Sequence, residues 1–320
     1  PESVFKIVGQ FSAHGDTFPA ELNTKPDTLQ AATEWLEAVK DANYTVSDIA
    51  TKPSTRNPGA PFTTSTLQQE ASRRLGYSVR QTMSVAQRLY EAGHITYMRT
   101  DSTTLSGLAI KSAEEYITSN FGNEYHKVRQ FKTKSQSAQE AHEAIRPTTF
   151  TRTSAGEDDQ QTKLYQLIWQ RAIASQMAEA KLERTEISIS ISTQPQLFVA
   201  KGEILRFDGF MKVYGGGKDD TLLPALNIGD TPAAETITAT ETFSRGPARF
   251  SEASLVRKLE ELGIGRPSTY ASTISTIQTR GYIEKQDLEG TERVVQIVTL
   301  ADHTVTASSK TEITGADRGK

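Results

Sequence analysis

The sequence predicts an α+β, multidomain protein: a mainly antiparallel β domain with a helical domain inserted into it, followed by part of a second helical domain. Three observations carry that reading. Apolar residues alternate with period two in stretches far apart in the chain, at Phe5 and Ile7 with Phe18, Ala20 and Leu22, and again over residues 185–192 and 197–204. Between these stretches the apolar spacing is helical, and several segments open on serine or threonine. The run Arg56-Asn57-Pro58-Gly59-Ala60-Pro61 marks the change with turn-forming residues. Neither strand group can easily close a sheet alone, so the two are expected to pair and to leave the helices as an insertion.

Taken in order, residues 4–46 read as strands with one helix near 28–39. Helices are expected over 65–76, 78–92, 106–121, 137–145 and 161–184. Strands follow at 185–192 and 197–204, then at 207–214, with Gly215-Gly216-Gly217 as a turn or loop. The threonine-rich segment 231–242 reads as a strand and loop at the end of the sheet. Leu255, Val256, Leu259 and Leu262 recur at helical spacing, and Gly263 stops that helix. A second helix, starting at Pro267 or Ser268, carries Tyr270, Ile274 and Ile277 to Gly281, which makes the pair resemble a helix-turn-helix. The tail 294–320 reads as cut inside an element, and the start without methionine is expected to mark a fragment of a longer polypeptide. The division is then 1–56 plus 184–249 for the β domain, 57–183 for the inserted helical domain, and 250–320 for the partial helical domain.

Composition narrows the function. With 36 Lys and Arg against 39 Asp and Glu, the net charge of −3 argues against a broad basic surface. Residues 57–183 carry 15 cations against 13 acids, so a local phosphate groove must rest on particular arginines. The sequence has no cysteine, which excludes disulfides and thiolate zinc sites. It shows no apolar stretch of bilayer-spanning length and no secretion signal, so a cytoplasmic location without membrane contact is expected.

The densest chemistry lies in Ile95-Thr96-Tyr97-Met98-Arg99-Thr100-Asp101-Ser102, where a phenol stands two residues from a guanidinium among hydroxyls. Tyr97 is a possible nucleophile toward phosphorus, and Arg99 can stabilise the phenolate and pair with phosphate oxygens. The same spacing also suits a surface tyrosine packed beside an arginine. His142-Glu143-Ala144-Ile145-Arg146 is not a zinc-protease pattern, because Arg146 stands where the second imidazole belongs. On a helix His142 and Arg146 would project together toward a phosphate, or else simply complement the helix dipole before Pro147.

Gly263-Ile264-Gly265-Arg266-Pro267-Ser268-Thr269 is neither a Walker loop nor a dinucleotide fingerprint. A proline-headed helix start flanked by Arg266, Ser268 and Thr269 offers amides, hydroxyls and a cation to a phosphate, and equally suits an ordinary capped turn. Thr63 to Thr66 followed by Arg73-Arg74 read either as a phosphate-facing edge or as a helix cap with a solvated basic face. Tyr77, Tyr90 and Trp169 can stack bases, but aromatics at helical spacing are more often core. The aspartate pairs Asp158-Asp159 and Asp219-Asp220 lie in loop-like stretches and read as solvated, so no metal site is expected.

Together with Pro61-Phe62-Thr63-Thr64-Ser65-Thr66-Leu67-Gln68, these segments resemble the type IA DNA topoisomerases, most nearly bacterial DNA topoisomerase I, over positions 61 to 283. Met98 and the His-Glu-Ala-Ile-Arg run look more like that branch than like topoisomerase III. The resemblance implies an ATP-independent enzyme that relaxes negative supercoils through a 5′-phosphotyrosyl intermediate. Tyr97 would be the nucleophile, Arg99 the stabiliser of phosphoryl charge, and His142 a catalytic neighbour of the tyrosine. Arg99, His142, Arg146, Arg266, Ser268 and Thr269 would contact DNA, and the β domain would be the hinged arch. The resemblance further implies Mg²⁺ bound by an N-terminal toprim domain, together with C-terminal DNA-binding repeats, and neither region is found in this sequence. The expected partners are single-stranded DNA, negatively supercoiled duplex and the toprim domain, with the chain a monomer that does not relax DNA alone. A catalytically silent single-strand-binding module and the core of a topoisomerase III or reverse gyrase remain the alternatives.

Overall fold

The computed structural model describes residues 2–131, 142–215 and 220–316. Among them, β1 (Ser3–Ala13), β2 (Asp16–Leu22), β3 (Tyr44–Arg56), β4 (Ala180–Ile191), β5 (Gln194–Phe207), β6 (Ala233–Phe243), β7 (Thr291–Ala301) and β8 (Thr304–Thr314) form one sheet. The strand order is β3-β4-β5-β2-β1-β6-β7-β8, and every neighbouring pair is antiparallel. The two β zones of the sequence therefore interleave: β4 and β5 fall between β3 and β2.

Alternation accounts for the buried face. Phe5, Ile7 and Phe11 of β1 are buried together with Phe18, Ala20 and Leu22 of β2, while Lys6 and Gln10 stay outside that core. Phe11 and Phe198 meet edge to face at 5.2 Å, and Tyr44 closes on Phe11 at 5.3 Å. Burying a side chain of this size contributes about 2–3 kcal/mol. Helix α1 (Leu29–Ala38), capped by Thr28, covers this core with Ala32 and Leu36.

The helical unit departs after Arg56 and returns at Ala180, and these two residues are partners in the β3–β4 ladder. Among the described residues its α-helices are α2 (Thr64–Leu75), α3 (Val79–Glu91), α4 (Gly107–Asn120) and α5 (Asp159–Ser175). Thr63, Ser78, Ser106 and Asp158 cap the four helices, each accepting a backbone amide three residues on. Their apolar faces share a core containing Leu67, Leu89, Ile117, Ile168 and Trp169. Arg171 of α5 pins the connecting turn by donating to the carbonyl of Ala60, and any Cβ at Gly59 would collide with that guanidinium. No helix of the described residues is long and apolar enough to cross a membrane.

Five local expectations are corrected. The helix expected over 161–184 stops at Ser175, because period-two alternation has already begun at Ala180 in a stretch whose alanines also suit a helix. Residues 207–214 are not a strand but end in the short helix α6 (Met211–Tyr214), with the Tyr214 hydroxyl held between Arg171 and Glu70. Residues 142–145 are not helical: Ile145 bridges Phe62 and Pro147 bridges Ile95, since a residue before proline is driven to extended backbone. The rest of that expected helix, 137–141, lies outside the described residues, as do Gly216, Gly217 and Asp219.

Segment 231–242 is not at the sheet's end, because β6 runs between β1 and β7. Finally, among the described residues of 250–320 only α7 (Glu252–Glu261) and α8 (Tyr270–Thr279) are helices, after which β7 and β8 extend the sheet. The β7–β8 hairpin turns through Asp302 and His303, both at positive φ, which is type I′ geometry without the Asn-Gly signal that usually announces it.

Candidate active site

Tyr97 lies on a loop with no regular secondary structure, between α3 and α4. Its phenol is 40% exposed, and among the described residues its hydroxyl makes no hydrogen bond. The flanks, in contrast, are fixed. Thr96 donates through Oγ1 to the carbonyl of Ala144 at 2.7 Å and accepts the amide of Arg146 at 2.9 Å. Its own amide donates to the carbonyl of Arg146, so the tyrosine loop and the 144–147 segment form a short antiparallel pair. On the other side Met98 is buried, and Thr64 of α2 holds the backbone of 98–100.

This pairing explains how residues 45 positions apart become neighbours: the His142 ring lies 6.4 Å from that of Tyr97. Tyr90, the penultimate residue of α3, meets Tyr97 edge to face at 5.2 Å. Arg99 reaches the α7–α8 turn, where its Nη1 donates to the carbonyl of Ser268 at 3.2 Å. His142 is thus brought beside the exposed Tyr97 phenol, while Arg99, two residues on, ties the same loop to Ser268.

Arg146 is engaged elsewhere. Its Nε and Nη2 bind Glu143 Oε2 at 2.7 and 2.6 Å, and its Nη1 donates to the carbonyl of Pro147. Glu143 in turn accepts the amide of Ser106, the cap of α4. Without helical winding, His142 and Arg146 no longer stand one turn apart, which removes the shared face that sequence spacing suggested. Arg266, Ser268 and Thr269 are exposed on the turn before α8. Arg266 donates to Gly265 and its amide is held by the Thr269 hydroxyl, which therefore leaves α8 without a side-chain cap. Gly265 takes φ +81°, a conformation glycine tolerates, and places the turn against the Tyr270 ring.

Other hydroxyls and aromatics settle as structure. Thr63, Thr64 and Ser65 are buried, with Thr63 and Thr66 forming a reciprocal cap. Tyr77 and Trp169 donate to the carbonyls of Gln160 and Phe150. Asp158 is not a free loop carboxylate: the Gln161 amide, the Gln161 side chain and Arg88 hold its carboxyl below the ordinary value. Burial raises the Tyr270 phenol, and the nearby Glu260 carboxylate adds to the effect. Among the described residues no group of three or more His, Asp or Glu side chains is placed to hold a metal ion. The sequence reading missed Thr64, Thr96 and Glu143 as organisers of the site; the signal available was a hydroxyl or carboxylate within each motif, which by itself does not separate a clamp from a cap.

The family model described as DNA topoisomerase matches residues 1–316. DNA topoisomerase 1 of Escherichia coli is 49% identical over 282 residues, 85% of this chain and 32% of that protein. The Zymomonas mobilis enzyme of the same name is 47% identical over 258 residues, 77% of this chain and 21% of that protein. The structure of full-length topoisomerase I from Thermotoga maritima superposes with a TM-score of 0.72 at 35% identity, covering 89% of this chain and 48% of that one. This chain belongs to the type IA DNA topoisomerases. Its curated relatives include bacterial DNA topoisomerases 1, which are isomerases, and the chain spans only about a fifth of the Zymomonas mobilis protein and a third of the Escherichia coli one. Mg²⁺ is usual in complete topoisomerases of this kind. The described residues of this chain contain no group of carboxylates and imidazoles that fits that ion.

Proposed function

We propose that this chain carries the nucleophile half of a type IA topoisomerase, which cleaves and rejoins one DNA strand through Tyr97. The supporting observation is the exposed Tyr97 phenol, without a hydrogen bond among the described residues, on a loop fixed at both flanks, with the His142 ring 6.4 Å away and Arg99 two positions on. In the cleavage step the Tyr97 oxygen attacks a phosphodiester phosphorus, the phenolic proton is lost, and the 3′-oxygen leaves and becomes a hydroxyl. The phosphotyrosyl ester conserves the bond energy, so the 3′-hydroxyl can attack it in reverse without ATP. Arg99 binds the charge that builds on the phosphoryl oxygens, and His142 donates to the scissile or a neighbouring phosphate. Arg266, Ser268 and Thr269 hold the strand by its backbone, which positions it without reading sequence. Arg146 supports the same face through Glu143 and the His142 segment.

The sheet acts as the hinged arch and the helical unit between Arg56 and Ala180 as the part that swings, opening a gate for a second strand. A toprim domain of the same polypeptide supplies Mg²⁺, so the chain alone does not relax supercoiled DNA. Single-stranded and negatively supercoiled DNA are the partners. The test mixes the chain with a separately expressed toprim domain, Mg²⁺ and a 3′-end-labelled single-stranded oligonucleotide, followed by a detergent quench. A labelled protein band that disappears in Tyr97→Phe is the expected result. Strand binding without a band would sink this reading and leave a silent single-strand-binding module.

A further inference from the structure

The Tyr97 ring is held from the side by Tyr90 and His142 alone among its aromatic neighbours, so the place of its hydroxyl depends on the backbone beneath it. On the side away from Thr96, that backbone is gripped by the hydroxyl of Thr64. Thr64, the first residue of α2, is 0% exposed, and its hydroxyl lies 2.7 Å from the carbonyl of Met98 and 3.1 Å from that of Thr100. The same oxygen accepts the amide of Thr100 at 2.9 Å, and the Thr64 amide donates to the Thr100 carbonyl at 2.9 Å. Three backbone groups on either side of Arg99 thus converge on a single buried hydroxyl.

The helix does not need it. The cap of α2 is made by Thr63 and Thr66, which satisfy each other's backbone amides. Thr64 Oγ1 makes no bond within its own helix and is directed wholly to the loop. A valine there keeps the shape of the side chain but leaves buried carbonyl and amide groups without a partner.

We propose that Thr64 is a positioning residue for strand cleavage, fixing residues 98–100 so that the Tyr97 phenol and the Arg99 guanidinium address one phosphate. This role rests on the function proposed above. It acts on the geometry of attack rather than on DNA affinity, because Thr64 is buried and touches no exposed surface. Displacing an attacking atom by about 1 Å is enough to slow a reaction on the order of 100-fold.

The experiment measures single-turnover formation of the phosphotyrosyl adduct, with toprim domain and Mg²⁺ supplied, for Thr64→Val, Thr64→Ser and Thr82→Val. Thr82 is equally buried, and its hydroxyl bonds only to the Ser78 carbonyl within α3, so its loss controls for the removal of a buried hydroxyl. Thr64→Val is expected to slow adduct formation about 10- to 100-fold while single-strand affinity stays within about twofold. Thr64→Ser, which keeps the hydroxyl, is expected to return to within about threefold of the parent, and Thr82→Val to stay there. A Thr64→Val rate equal to the parent's, or no slower than that of Thr82→Val, overturns the role, as does failure of serine to rescue. An adduct absent from the parent itself overturns the proposed function and this role with it.

Discussion

Arg99 donates from Nη1 to the carbonyl oxygen of Ser268, 3.2 Å away and 169 positions along the chain. One side chain therefore joins the tyrosine loop to the turn that carries Arg266 and Thr269. A guanidinium can hold that carbonyl and still offer its remaining donors to phosphate, which an ammonium does less well. Arg99→Ala is expected to lower adduct formation roughly 100-fold, and Arg99→Lys to recover only part of it. Single-turnover cleavage of an oligonucleotide checks both, and full activity in Arg99→Lys would show that charge alone suffices.

Ser65 donates to Glu260 at 2.6 Å, tying α2 to the end of α7. Val79 donates its amide to Glu252 at the other end of the same helix. These contacts latch the α7–α8 unit onto the helical unit beside a small shared cluster of Val79, Val256, Tyr270 and Ile274. Glu260→Ala is expected to speed amide exchange across α7 and α8 by roughly fivefold, the equivalent of about 1 kcal/mol, with α5 unchanged. Equal acceleration in α5 would mean global destabilisation instead of an unlatched unit.

The Arg146–Glu143 pair separates a structural from a DNA-contacting arginine. Their side chains are only 15% and 27% exposed, and Glu143 also accepts the Ser106 amide. Arg146→Met leaves that carboxylate without its cation and is expected to cost about 1–3 kcal/mol in a denaturant titration. If Arg146 also binds phosphate in the complex, the slope of single-strand affinity against salt falls by roughly 0.7. An unchanged slope with lost stability would confine the residue to holding the His142 segment.

Asp158 gives a pH prediction whose sign is fixed. Its folded carboxyl is depressed, chiefly by the backbone amide of Gln161 and further by the Gln161 side chain and Arg88. A depressed acid contributes stability that is present above its unfolded value and lost as pH falls through the folded one. Asp158→Asn is therefore expected to lower the urea midpoint at neutral pH. The gap should narrow below pH ~4, where the unfolded carboxyl titrates, and close once the folded carboxyl is protonated as well. A gap that persists unchanged into strong acid would remove the charge from the account.

The sheet and the helical insertion were legible because Phe5, Ile7, Phe18 and Leu22 report a strand face directly, and because Ser78 and Ser106 announce their helices. Tyr97 and Arg99 stood out by residue type, but their spacing suits a packed surface pair equally and only the resemblance to a family motif pointed to chemistry; the structure adds the His142 ring beside Tyr97. What stayed hidden was long-range pairing. Nothing local in His-Glu-Ala-Ile-Arg says that Ile145 bridges Phe62, and the run scores as a helix until Pro147 and a partner strand override it. The β7–β8 hairpin was concealed for a related reason: its apolar alternation sits in a threonine- and serine-rich tail, turned by residues other than glycine.

The pairing of Arg56 with Ala180 has a mechanical meaning. Both leads of the helical unit emerge from the same end of one ribbon, like the two wires of a single cable. A pull on the unit along the ribbon loads β3 and β4 in tandem, so the strain passes to the long β4–β5 seam instead of shearing the two leads against each other. Bending out of the sheet plane, by contrast, meets only β3, β4 and β5 at that end, the most compliant direction a sheet offers. The same layout makes residues 57–179 a cassette: a tight turn in their place would join β3 to β4 as an ordinary hairpin and leave the strand order intact.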